Sequence, residues 1–271
     1  MPNSTALQPF DHALLSIVVA FVLTANVRRV WIRRDRAKRG LPPPPPRNLT
    51  QLRLLLLSVT TFAVVLVGYW AYSGRAWSLL GLQPPRMDWL GIAGISLLLV
   101  NIALIASILL GELPKARRDA EVADELIRLT APLRRDQSDV PRNAVVVALL
   151  GAFEELCFRG FLYFYVSAVW GWAPAALISW VSFALAHISQ GPRVAAICLY
   201  HGAVFTVLRL LTDSLFVSAI GHAAHNTIVV WAVRAVERLI AERPPTASAV
   251  DIAIPGTEAL PTPSNSQEMA R

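Results

Sequence analysis

The sequence predicts an all-α bundle of membrane-crossing helices, and three observations carry that prediction. Of the 271 residues, 55% are hydrophobic and only 16% charged, where a soluble domain carries charge at about a quarter of its positions. Mean hydropathy is +0.49. The charges crowd into residues 28–47, 112–142 and 234–243 and leave long apolar runs between them, the pattern of a polytopic helical membrane protein.

Crossing the hydrocarbon core takes a helix of about 20 apolar residues. By that measure seven spans are expected, near 12–30, 52–72, 89–110, 143–166, 172–189, 194–211 and 214–234. The first lacks a positive n-region and is followed by Arg28, Arg29, Arg33 and Arg34, so it reads as a retained span and not as a signal peptide. Arg53 stands at the mouth of the second, where it can snorkel. Gln190-Gly191-Pro192-Arg193 suits a tight turn between the fifth and sixth.

Loop charge sets the expected orientation. The 28–50 and 111–142 connections are rich in Arg and Lys, 73–88 holds only Arg75 and Arg86, and 167–174 holds no charge. The positive-inside rule then puts the N-terminus outside and the C-terminus in the cytoplasm. The same rule accounts for the net charge of +7, so no nucleic-acid partner is expected. Trp31, Trp70, Trp77, Trp89, Trp170 and Trp172 fall near span ends and read as interfacial anchors. Cys157 and Cys198 both fall inside spans and read as buried free thiols.

Three segments fall outside the bundle. Pro42 to Pro46 reads as a stiff spacer. Residues 112–130 mix acids and bases and suit an amphipathic surface helix. Residues 244–271 have the composition of a disordered tail. The chain therefore divides into N-terminal spans with basic loops (1–142), a chemically marked core (143–236) and a cytoplasmic tail (237–271).

Ionisable groups inside a span cost roughly 2.5 kcal/mol or more each, so each asks for a reason. The fourth span holds Glu154, Glu155 and Arg159. Glu155 and Arg159 are four apart and share a helix face, with the acid N-terminal as such a pair prefers. Glu154 points about 100° away, which leaves one carboxylate paired and the other free for chemistry. Taken alone, the trio also fits a purely structural ion pair. The fifth span contributes His187, and the seventh contributes His222 and Asn226 on one face, with His225 at its border. Interhelical hydrogen bonding is the plainer account of each residue singly. A carboxylate, two imidazoles and an amide spread over three spans strain it. Glutamate can take a proton from water, histidine can orient water, donate a proton or bind a metal, and asparagine can donate to an oxyanion. No Ser or Cys is placed as an obvious nucleophile, and no HExxH occurs. His12 reads as interfacial and His201, without a motif partner, as a packing residue.

The ordered set Glu154-Glu155-x-x-x-Arg159, Phe183-x-x-x-His187 and His222-x-x-x-Asn226 resembles the CAAX-protease and bacteriocin-processing family, also called the Abi family. Phe158-Arg159-Gly160, Ser182-Phe183-Ala184-Leu185-Ala186-His187 and the run from Ser214 to His222 extend the likeness over about residues 143–230. The resemblance implies an intramembrane endopeptidase acting on a membrane-associated peptide or protein, of CAAX type or processing bacteriocins or membrane regulators. It implies Glu154 as water activator, His187 and His222 as positioning groups, Asn226 as oxyanion donor, and Glu155 and Arg159 as supporting residues. Two chemistries stay open under it: a metal-free glutamate mechanism, and a metalloprotease with zinc, for which Asn would be an unusual ligand. The expected location is a bacterial plasma membrane. Two other readings of the same residues are a non-catalytic scaffold or self-immunity protein, and a proton-coupled transporter, although no internal repeat is visible.

Overall fold

The computed structural model describes residues 6–41, 49–119, 121–123 and 140–241. The proline spacer, most of the 112–142 loop, Arg53's side chain and the 244–271 tail lie outside the described residues. Every ordered element is helical. They are α1 (Pro9–Lys38), α2 (Leu49–Tyr72), a 3₁₀ turn (Trp77–Leu80), α3 (Trp89–Arg118), α4 (Val140–Glu155), a π segment (Leu156–Leu162), α5 (Tyr163–Trp170), α6 (Trp172–Leu185), a 3₁₀ turn (Ile188–Gln190), α7 (Pro192–Thr212) and α8 (Leu215–Ala241). No strand occurs among the described residues.

Four helical stretches are long and apolar enough to cross a membrane: Trp89–Arg118, Trp172–Gln190, Val194–Thr212 and Leu215–Val236. The other three expected spans coincide with α1, with α2 and with α4 through α5. Described apolar stretches in α1 and α2 are shorter, Pro9–Ala20 and Leu56–Tyr72. The α4–α5 unit is lengthy but carries Glu154, Glu155 and Arg159, which dilute its apolar character. Exposed side chains on the apolar helices support a lipid surround. On α3, Trp89, Ile92, Leu99, Val100 and Leu110 are each more than half exposed, a patch that water would not tolerate.

Local chemistry explains the helix starts. Pro9 sits in the first turn of α1, and Gln8 donates its backbone N–H to Asp11 Oδ2 at 2.7 Å. Asp88 caps α3 by accepting from the Gly91 N–H at 3.1 Å. The strand-like connection after the first 3₁₀ turn is stitched to the α7–α8 turn: Leu215 donates its N–H to Gly81 O at 2.7 Å, and Arg86 to Thr212 O at 2.9 Å.

The central core joins α1, α2, the π segment, α5 and α8 through Leu14, Leu66, Trp70, Phe161, Phe164 and Leu215. Such packing, with close interhelical contact, holds helices together where lipid tails remove the hydrophobic drive. Trp70 departs from the interfacial reading. It is fully buried, donates its indole N–H to Ala76 O at 3.0 Å and meets Phe164 edge-on at 4.9 Å. Above it lies an ion pair the sequence did not announce. Arg75 donates to both oxygens of Asp11, at 2.8 and 2.7 Å, with both side chains buried. The guanidinium also lies 5.1 Å from the Trp70 ring centre. Trp31, Trp77, Trp89, Trp170 and Trp172 are exposed.

Candidate active site

Helices α4 and α8 pack against each other more extensively than any other pair, and glycine makes that possible. A Cβ on Gly151 would fall 2.9 Å from Asn226 Nδ2 and 3.1 Å from His222 Cδ2. Both α8 side chains therefore occupy the space a larger residue would fill.

One turn further on, the α-helix gives way to the π segment at Leu156. Its wider turn, common at functional sites, carries Arg159 inward. Arg159 Nη1 donates to Glu155 Oε1 at 2.9 Å, Nη2 to Gly202 O at 2.9 Å and Nε to Thr206 Oγ1 at 3.4 Å. Its guanidinium lies 4.4 Å from the centre of the Phe183 ring. Gly202 again permits the approach: a Cβ there would be 3.0 Å from Trp180 and 3.1 Å from Phe183. Neither Glu155 nor Arg159 has any exposed side-chain surface. The pair expected from the four-residue spacing forms, and it is buried and multiply bonded.

His222 reaches this pair from α8. Its Nδ1 lies 3.0 Å from Glu155 Oε1. A carboxylate at that distance requires the proton on Nδ1, so in the neutral ring Nε2 presents a lone pair. Nε2 lies 3.7 Å from Glu154 Oε2. That separation is too long for a direct hydrogen bond. Phe205 stacks on the imidazole at 4.8 Å, and Phe183 meets it edge-on at 5.4 Å. Glu154 keeps 29% of its side chain exposed against none for Glu155. The two adjacent acids thus occupy opposite environments.

His187 is less central than its motif suggested. The α6 helix ends at Leu185, and His187 lies in the turn before Ile188–Gln190. Its Nδ1 donates to Phe183 O at 2.9 Å, and Nε2 has no hydrogen-bond partner among the described residues. It joins the cluster through the Phe183 ring, 4.7 Å away, which also touches His222. Asn226 donates one amide hydrogen to Val147 O at 3.0 Å, back onto α4.

A second histidine pair stands beside the first group. The rings of His201 and His225 are 3.9 Å apart between centres. His201 Nε2 and His225 Nδ1 are buried without a hydrogen-bond partner among the described residues. Their proximity joins α7 to α8, and no spacing within either helix signals it. Cys157 and Cys198 are free. Among the described residues, no three His, Cys, Asp or Glu side chains converge closely enough to hold a metal ion. As placed, these side chains do not fit a resident zinc ion.

Residues 137–228 match the model of the Rce1-like family, described as type II CAAX prenyl endopeptidase Rce1-like. The matched segment is about a third of the chain and contains every residue of the cluster just described. It agrees with the resemblance carried by the Glu154, His187 and His222 motifs. No curated protein and no solved structure matches the chain. With the four long apolar helices, the match identifies an integral membrane protein.

Proposed function

We propose that the protein is a CAAX-type intramembrane endopeptidase in which Glu154 activates the attacking water. The observation that carries this reading is His222 standing between two unlike carboxylates, buried Glu155 at 3.0 Å on Nδ1 and accessible Glu154 at 3.7 Å from Nε2. A water molecule accepted into that gap bonds to both groups.

The steps follow from the groups present. Glu155, neutralised by Arg159, holds His222 in one orientation. Glu154 takes a proton from the water, whose oxygen attacks the scissile carbonyl. The oxyanion accepts hydrogen bonds from the Asn226 amide hydrogen not used by Val147 and from His187, once its ring carries a proton on Nε2. The proton on Glu154 then passes to the departing amine, so no covalent enzyme intermediate forms. The substrate class in this reading is a membrane-associated peptide or protein. Seven crossings, which rest on the apolar runs, and an outside N-terminus, which rests on the loop charges, belong to the same proposal, as does a bacterial plasma membrane.

The test is Glu154→Gln in purified protein reconstituted in lipid, with a prenylated peptide as substrate. Turnover is expected to fall by about 10²–10⁴, the usual share of general acid–base catalysis, with the thermal transition unchanged. Cleavage at the wild-type rate refutes the role given to Glu154.

A further inference from the structure

Beside the catalytic cluster, α1 and the π–α5–α6 unit enclose a groove of about 660 Å³. That volume lies within the roughly 300–1,000 Å³ of small-molecule sites. Its walls are apolar, with Val18 and Val30 on one side and Leu162, Val166, Ile178 and Leu185 on the other. Arg34 is the one charged residue lining it, and it makes no ion pair among the described residues. From Leu15 to Arg34 the α1 helix rises about 28 Å, close to the thickness of a bilayer's hydrocarbon core.

An apolar slot ending in a single unpaired guanidinium selects a ligand with a long chain and an anionic head. Arg28 and Arg33 stand on the same end of α1 and add to the attraction for anions. We infer that this groove binds an anionic phospholipid, with an acyl chain along Val18 and Ile178 and the phosphate on Arg34. The site also touches the catalytic side. Its lining includes Leu185 and Ile188, on either side of His187. Arg33 Nη1 reaches the same turn, 3.3 Å from where a Cβ on Gly191 would lie. A seated lipid therefore fastens α1 to the turn that carries His187.

The experiment is native mass spectrometry of the full-length protein released from vesicles holding phosphatidylglycerol and phosphatidylcholine of matched chain length. Its readout is binding and does not depend on proteolysis. The wild type is expected to retain phosphatidylglycerol over phosphatidylcholine. Arg34→Ala is expected to lower phosphatidylglycerol retention about five-fold, the share of one basic residue at an anionic surface. Arg118→Ala, which removes a cation that does not line the groove, is expected to leave it unchanged. Val18→Trp fills the slot and is expected to lower retention with Arg34 intact, and Arg34→Gln repeats the charge test should the alanine variant melt early. Equal retention of the two lipids overturns the inference, as does retention indifferent to both Val18→Trp and Arg34 replacement. A change of oligomeric state on Val18→Trp with lipid retention unaltered assigns the groove to a second copy and overturns it too.

Discussion

Adding one methyl group at Gly151 tests the geometry of the site more sharply than removing any catalytic group. The new Cβ would lie 2.9 Å from Asn226 Nδ2 and 3.1 and 3.2 Å from His222 Cδ2 and Cγ. Ordinary contacts of this kind stand near 3.5–4.0 Å, so both side chains must retreat by about half an ångström. Neither is free to do so alone. Asn226 is tied to Val147 O at 3.0 Å, and His222 to Glu155 at 3.0 Å. Overpacking of this size costs about 1–3 kcal/mol. Misplacement by about 1 Å can cost a hundredfold in rate, so Gly151→Ala is expected to lose roughly ten- to a hundredfold in kcat. The assay is cleavage of a prenylated peptide by reconstituted protein, read beside a thermal melt. Gly68→Ala supplies the control, because a Cβ there meets nothing within 4 Å. A Gly151→Ala protein that melts with the wild type and turns over at its rate refutes the claim that this glycine sets the α4–α8 distance at the site.

Three further outcomes are expected. Glu155→Gln leaves Arg159 as an uncompensated buried cation, so it loses about 3–5 kcal/mol of stability as well as activity, whereas Glu154→Gln loses activity alone; paired melts and rates separate the two. Asp11→Asn breaks the buried bond to Arg75 and is expected to cost a similar 3–5 kcal/mol, with turnover per folded molecule unchanged. Asp88 is held below the usual carboxylate range by the Arg86 guanidinium and the Gly91 N–H. Its contribution to the start of α3 is full above the unfolded carboxylate value and fades as pH falls through the lower folded one, so a wild-type melt should lose more between pH 5 and about pH 3 than that of Asp88→Asn.

The seven apolar runs each fall on a helix because hydropathy is a local property that survives without knowledge of packing. The Glu155–Arg159 pair was legible for the same reason, four residues apart on one helix. The bond from Glu155 to His222 was not, since nothing within either segment specifies how closely α4 and α8 approach. Gly151 was the available signal, a residue without a side chain one turn before the acids. The burial of Trp70 and the Asp11–Arg75 pair were missed on similar grounds. Asp11 and Arg75 lie 64 residues apart, and no local spacing joins them until the fold brings them together. His187 was placed within its span, where helix geometry in fact stops at Leu185. A motif fixes residue spacing, and it does not say whether the last member lies on the helix or just beyond it.

The π segment also bears on how this chain tolerates changes of length. A π turn holds one residue more than the α turn it replaces, so deleting any residue between Leu156 and Leu162 can restore regular α geometry with the helix unbroken. The cost falls on the segment itself. The wider turn absorbs the extra residue, so Phe164 and Val166 would keep their faces after such a deletion, but Arg159 would lose the placement that bonds it to Glu155, Gly202 and Thr206. Residues 156–162 are therefore a stretch where a single amino acid can be exchanged but not removed, and the chemistry at Glu155 depends on a count of residues as much as on their identity.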